Sequence, residues 1–192
     1  MCIGGGAGCV VAVTAIGRKS QLPVSAAFSP KRLGLRSADL QETMVDYFED
    51  FDIDQRISFG RYSVTPEEIV EFAKRYDPQA FHVDERDSLT VELGGVMASG
   101  WHTTAIFMRL AVDAYLAGAA VLTSPGVDEL HWLVPVRAGD IISGEAIVEG
   151  ARLSASKPDR GILTTGVVLW NQREEEVLRM RTHVFIRVRP SQ

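Results

Sequence analysis

The sequence predicts an α+β domain in which an antiparallel sheet wraps one long central helix. Three observations carry that prediction. After Gly100 the chain is apolar nearly all round, through Trp101, Ala105, Ile106, Phe107, Met108, Leu110, Ala111, Val112, Ala114, Tyr115, Leu116 and Ala117, and a helix of that kind is buried rather than amphipathic. Beyond it, residues 127–136, 141–153, 162–171 and 177–188 read as four strands in meander. Before it, residues 55–64 alternate as a strand. A strand, a buried helix and four further strands make one layer of sheet around one helix.

The chain has 192 residues, enough for one domain with a real core. It is 46% hydrophobic and 23% charged with a net charge of −5, so it lacks the basic excess that nucleic-acid binding requires. No apolar run approaches the length of a membrane span. The first 43 residues differ from the rest. Met1-Cys2-Ile3-Gly4-Gly5-Gly6-Ala7-Gly8-Cys9-Val10-Val11-Ala12-Val13 is small and apolar, and residues 17–36 are basic with proline and serine. A secretory leader is argued against by the missing positive charge before the apolar run, by its glycines, and by Ser25-Ala26-Ala27 following a basic patch. Residues 1–43 are therefore expected to be a disordered extension, with the folded domain over 44–192 and Met44 as its functional start. Both cysteines, Cys2 and Cys9, lie in the extension. A cysteine-free domain suits the cytoplasm and argues against disulfides, thiolate zinc or a cysteine nucleophile.

Thr65-Pro66-Glu67-Glu68 opens the first helix: a capping threonine, proline at the first helical position, and a glutamate closing a capping box. Ile69, Val70, Phe72 and Ala73 form its buried face. Pro78 biases Asp77 away from the α region, which ends the helix at about Tyr76 and predicts a non-helical segment from Asp77 to His82. Asp84, followed by Glu85-Arg86-Asp87, reads as the N-cap of a short helix. Ser99-Gly100 opens the central helix, on which Arg109 and Asp113 make one charged pair. Gly118 begins a break that runs to Pro125-Gly126, and Ala138-Gly139-Asp140 and Gln172-Arg173-Glu174-Glu175 read as hairpin turns.

Chemistry concentrates around Asp77 and His82. Alone, an Asp before proline commonly bonds its own turn, and a lone histidine beside Phe81 and Val83 is commonly a satisfied, half-buried ring. As a pair they are a carboxylate that can orient an imidazole, or share a water with it, so that water becomes a nucleophile near neutral pH. The first turn of the central helix offers unpaired backbone N–H groups, and Gly100 allows close approach to them, which suits a developing oxyanion. Equally, Ser99 alone caps that helix and Gly100 relieves a tight corner. His102, His131 and His183 have no ligand spacing, so no metal site is expected. Gly4-Gly5-Gly6-Ala7-Gly8 follows no strand of a βαβ unit, so no dinucleotide cofactor is expected either.

Asp77-Pro78-Gln79-Ala80-Phe81-His82-Val83-Asp84, followed by Gly94-Gly95-Val96-Met97-Ala98-Ser99-Gly100-Trp101-His102-Thr103, strongly resembles the MaoC-like dehydratases, relatives of the R-specific enoyl-CoA hydratases. The likeness continues through Pro125-Gly126-Val127-Asp128-Glu129-Leu130, Pro135-Val136-Arg137-Ala138-Gly139-Asp140 and Lys157-Pro158-Asp159-Arg160-Gly161, over residues 44–190. It implies the hotdog fold, and a homodimer or dimer of dimers with active sites near the interface. It implies Asp77 and His82 as catalytic dyad, and Gly100 as the glycine whose amide polarises a thioester carbonyl. The chain departs from the family at Gln79 and Ala80, where Asn and Pro are usual, and at Met108, where short-chain hydratases place a serine.

The activity implied is reversible hydration of a trans-2-enoyl-CoA to the (R)-3-hydroxyacyl-CoA, within fatty acid metabolism. Coenzyme A is part of the substrate, and no separate cofactor or metal is called for. Gln79, Phe81 and Ser99 are candidate substrate contacts; Trp101, Phe107 and Met108 are candidate walls for the acyl tail. Lys157, Arg160 and Arg137 are candidates for the phosphates of coenzyme A, or solvated surface charges. The alternatives are an acyl-CoA thioesterase of the same fold and a non-catalytic acyl-CoA-binding subunit.

Overall fold

The computed structural model describes residues 45–191. The expected extension over 1–43 lies outside the described residues. Within them the chain runs β1 (Arg56–Ser58), β2 (Tyr62–Ser63), α1 (Pro66–Tyr76), α2 (Ala80–Val83), α3 (Ser88–Glu92), α4 (Gly100–Ala114), β3 (Val121–Trp132), β4 (Ile141–Leu153), β5 (Arg160–Trp170) and β6 (Glu176–Arg187). The strands form one antiparallel sheet in the order β1-β4-β5-β6-β3, with β2 also on β4. This is the hotdog arrangement, a sheet around a central helix.

Period-two burial explains how sheet and helix meet. In β4 and β5 alternate residues are buried, among them Ile142, Ala146, Val148, Leu163, Val167 and Leu169. They face Ile106, Phe107, Leu110 and Ala111 of α4 in one core cluster. Each such aliphatic side chain contributes on the order of 1.5–3 kcal/mol when buried. No helix among the described residues is long and apolar enough to cross a membrane.

Several local expectations are corrected. The alternation over 55–64 breaks into β1 and β2 at Gly60 and Arg61, two exposed residues in succession that shift the inward phase from Ile57 and Phe59 to Tyr62 and Val64. The four later strands are not a simple meander. Only β4, β5 and β6 follow one another; β3 pairs with β6, so the turn at Ala138-Gly139-Asp140 joins strands that are not neighbours. Strand β3 begins at Val121 rather than 127, carrying Pro125 and Gly126 through register shifts. Bulges of this kind absorb a proline and a positive-φ glycine without ending the strand.

Helix starts show similar detail. Thr65 caps α1 by accepting from the Glu68 amide at 3.2 Å. The Glu68 carboxylate accepts from the Tyr62 hydroxyl at 3.0 Å instead of closing the capping box. Asp87, not Asp84, caps α3, accepting from the Thr90 amide at 3.0 Å. The Asp84 side chain accepts from the Arg86 amide, a local turn that competes with capping. Helix α4 stops at Ala114, and residues 116–118 tighten to a 3₁₀ turn. It is buried on one side only, since Trp101 is 58% and Met108 48% exposed. A single sheet covers one side of a helix, and the apolar stripe of Trp101, Ala105 and Met108 lies outside it.

Candidate active site

Helix α1 ends where the sequence predicts, with Asp77 as its C-cap in a non-helical conformation at φ −150° and ψ 67°. The segment that follows is not wholly extended. Pro78 restricts only the residue before it, so Ala80–Val83 close one helical turn, α2, and that turn swings His82 back toward Asp77. His82 Nε2 stands 3.3 Å from Asp77 Oδ2. The other ring nitrogen, Nδ1, lies 2.8 Å from the Met97 carbonyl. A carbonyl oxygen only accepts, so Nδ1 carries a proton, and in the neutral ring Nε2 is left as a proton acceptor beside the carboxylate. Two acceptors at that spacing are arranged for a third molecule that donates to both, such as water.

The carboxylate is itself oriented. Ser99 Oγ donates to Asp77 Oδ2 at 2.7 Å, and Gln79 Nε2 donates to Oδ1 at 2.7 Å. These two donors, Ser99 foremost, hold the Asp77 carboxyl below its ordinary value, with His82 adding a smaller effect in the same direction. Ser99 also caps α4, its Oγ accepting from the Trp101 amide at 3.2 Å. One hydroxyl thus ties the carboxylate to the opening of the central helix. In that first turn the Ser99 carbonyl takes the Thr103 amide. The Gly100 and His102 amides have no hydrogen-bond partner among the described residues, which leaves donors one and three residues past Ser99.

Gly100 needs to be glycine for a reason not visible in the motif. A Cβ there would fall 2.4–2.8 Å from the ring atoms of Trp132, which lies flat on the glycine. Trp132 Nε1 donates to Thr104 Oγ1 at 3.1 Å, one turn along α4, and the ring meets Trp101 edge-on at 5.2 Å. The two indoles wall the helix terminus on its open side. Phe81 packs edge-on against His82 with ring centroids 4.4 Å apart. Two turns on, Met108 lies over an apolar cavity of about 160 Å³ lined also by Phe107, Tyr115, Val121, Val127 and Val184.

Of the expected site residues, Asp77, His82, Gln79, Phe81, Ser99, Gly100 and Trp101 come together at this junction of α1, α2 and α4, and Met108 lies farther along the same helix. Lys157 and Arg160 do not join them. Gly100 touches Trp132, which pairs with Leu178, whereas Arg160 starts β5 beside Gly161, which pairs with Ile186. Leu178 and Ile186 are roughly 25 Å apart along β6 at strand rise. Lys157 is exposed, and the Arg160 guanidinium makes two 2.8 Å bonds to Asp159. Arg137 is committed elsewhere: it donates to the carbonyls of Leu93, Gly95 and Val96, the last at 3.3 Å. Next to it, the Ala98 amide donates to the Val136 carbonyl at 2.8 Å. Together these bonds fix the strand of backbone that presents the Met97 carbonyl to His82. Trp132, Arg137 and Met97 were not singled out as members of this junction from sequence; the one available signal was an aromatic and an arginine flanking Pro135, close after the bulged strand.

Residues 50–171 match the family model of the MaoC-like domain. The chain belongs to that family. A MaoC-like dehydratase from Rhodospirillum rubrum is 40% identical, covers 76% of this chain and 99% of its own, and superposes with a TM-score of 0.66. The uncharacterized protein YdeM of Bacillus subtilis is 28% identical over 72% of this chain and 97% of its own. The R-hydratase PhaJ1 of Pseudomonas aeruginosa is similar in fold at 16% identity, with a TM-score of 0.59 over 76% of this chain and 92% of that one. Family membership and the 40%-identical dehydratase support a hydratase or dehydratase.

Proposed function

We propose that this MaoC-like protein reversibly hydrates a trans-2-enoyl-CoA to the (R)-3-hydroxyacyl-CoA, within fatty acid metabolism. The observation that carries the reading is the Asp77–His82 pair, 3.3 Å apart, with His82 Nδ1 fixed as a donor by Met97. A water held by Asp77 Oδ2 and His82 Nε2 gives its proton to that pair as its oxygen attacks the β-carbon. Charge moves through the conjugated system to the thioester oxygen, where the Gly100 amide receives it, and the proton returns to the α-carbon. Losing such an amide donor costs on the order of 3 kcal/mol in the transition state. Dehydration is the same path reversed. Hydration of this type is proton and charge movement alone, which these side chains and the amide supply without a separate cofactor.

The acyl tail runs past Trp101 toward the cavity beside Met108. A second copy of the chain would cover the open stripe of α4 and the edge strand β3, making a homodimer; light scattering on the purified protein tests this. We place the enzyme in the cytoplasm on the cysteine-free domain, and cell fractionation tests that placement.

The deciding experiment offers purified protein a panel of enoyl-CoA thioesters and follows loss of the conjugated absorbance, with a thiol-trapping reagent in parallel. Absorbance loss without thiol release, abolished by Asp77→Asn, is the expected result. Thiol release from saturated acyl-CoA would make the protein a thioesterase, and silence across the panel would leave either an unusual branched substrate or a binding subunit.

A further inference from the structure

Strand β3 runs back along α4. Its first residue, Val121, lines the apolar cavity of about 160 Å³ together with Leu116, just past the end of that helix. Its last, Trp132, lies on Gly100 at the helix's opening. Gly100, Thr104 and Met108 follow one another at a spacing of four on a single stripe of α4. The indole covers the first two, and Met108 borders the cavity. Trp132 therefore stands at the boundary between the amide assigned to the thioester and the space assigned to the acyl tail.

Bonds specify where the indole rests. Thr104 Oγ1 donates its one proton to the Gly100 carbonyl at 3.0 Å, which leaves the oxygen free to accept from Trp132 Nε1 at 3.1 Å. Trp101 steadies the ring edge-on at 5.2 Å. Yet Trp132 is 45% exposed and sits at the end of its strand, paired with Leu178. A ring held in this way can leave Thr104 toward solvent without opening the core. The cavity beyond it takes hydrocarbon. Ser124 and Thr182 bring hydroxyls to its lining, but Ser124 Oγ donates to the His183 carbonyl at 2.6 Å and Thr182 Oγ1 shares a 2.8 Å bond with Thr165 Oγ1. Among the described residues, no charged side chain lines it.

We infer that Trp132 is the residue that sets acyl chain length. A short enoyl tail is held with the indole bonded to Thr104, and a longer one reaches the cavity beside Met108 only by turning that indole away. The inference rests on the hydratase reading for the direction in which the tail leaves the Gly100 amide.

The test measures kcat/KM of the wild-type protein, Trp132→Ala and Thr104→Val with but-2-enoyl-CoA and oct-2-enoyl-CoA, and the affinity of each protein for saturated butanoyl-CoA and octanoyl-CoA by calorimetry. A change common to both chain lengths reports the disturbed Gly100 amide, so the ratio of long to short is what is read. The wild-type protein is expected to favour the short chain. Removing the indole should raise the long-to-short ratio by at least about tenfold, the scale of one further methylene buried in an apolar pocket. Thr104→Val keeps the ring but removes its acceptor, and should raise the ratio roughly threefold, as loss of one hydrogen bond predicts. It decides the matter if circular dichroism shows Trp132→Ala misfolded. A wild-type protein that already favours the long chain, or an unchanged ratio in the folded variants, overturns the inference while turnover keeps the hydratase reading standing. Absent turnover with octanoyl-CoA bound more tightly by the variants sinks that reading and supports the role of Trp132, whereas neither turnover nor binding overturns both.

Discussion

Two carboxylate–imidazole pairs flank the opening of α4, and their surroundings differ. Asp77 and His82 lie 3.3 Å apart, and every remaining polar atom is oriented: Ser99 and Gln79 donate to the carboxylate, and Met97 accepts from the ring. Glu68 and His102 lie 3.9 Å apart, with one atom of each unpartnered among the described residues. The difference teaches that a catalytic pair is recognised less by the two residues than by the bonds that fix their protons. An imidazole whose tautomer is set from outside can take a proton in one direction only. His102, with no partner nearer than a carboxylate oxygen 3.9 Å away, has no such fixed direction.

The contrast can be broken or sharpened by substitution. The largest effect is expected at the first pair: Asp77→Asn or His82→Ala lowers turnover of the best enoyl-CoA by at least about a hundredfold, the scale of removing a general base, with the far-ultraviolet circular dichroism kept. Wild-type rates in both would sink the assignment, and a comparable loss in His102→Asn would erase the contrast between the pairs. Next comes Gly100→Ala, whose methyl must displace Trp132. Turnover should fall by roughly fiftyfold as the amide shifts, and overpacking should cost about 1–3 kcal/mol in urea unfolding. If Ala is tolerated in both assays, Trp132 does not pack on the glycine.

Arg137→Ala should act at a distance. Three carbonyls of the 93–96 backbone lose their donors, so Met97 is less firmly presented and kcat falls by about tenfold with KM changed much less. A rise in KM with kcat intact would instead return Arg137 to a phosphate-binding role.

The smallest effect is at Ser99. Because the folded Asp77 carboxyl is held below its unfolded value, it adds stability at pH above the ordinary carboxylate range, and that contribution is lost as the pH falls through its lowered folded value. Ser99→Ala removes the larger donor and the helix cap, costing about 1 kcal/mol at neutral pH. The gap from wild type should narrow as the solution is acidified through the carboxylate range, which denaturant titrations at a series of pH values would detect. A gap independent of pH would mean that Ser99 acts as a cap alone.

Much of this is legible in the sequence where the cause is local. Thr65 and Pro66 announce α1, Pro78 ends it at Tyr76, and β4 spans the predicted 141–153, alternating from Ile141 to Val148 and continuing to Leu153 past a register shift between Val148 and Gly150. What the sequence hides is partnership. Alternation tells which face of a strand is buried but not which strand lies beside it, so the pairing of β3 with β6 escapes it. The same holds at the site. Asp77 and His82 stand out by residue type, whereas a backbone carbonyl at Met97 and an indole that reaches Gly100 from across the fold carry no signature of their own. Asp84 and Asp87 are equally good caps by type, and only the placement of Thr90 decides for Asp87.

The pair of indoles at the head of α4 has one more consequence. Trp101 and Trp132 are two of the three tryptophans in the chain, and they touch each other next to the amide assigned to the thioester. Their emission therefore carries a spectroscopic record of that corner, with Trp170 as the one other source. Anything that settles against Gly100 must disturb an edge-to-face contact whose geometry governs how the two rings quench and exchange excitation. The protein comes with its own optical probe, so occupancy can be followed in unlabelled wild-type material, and a Trp132→Phe variant supplies the blank.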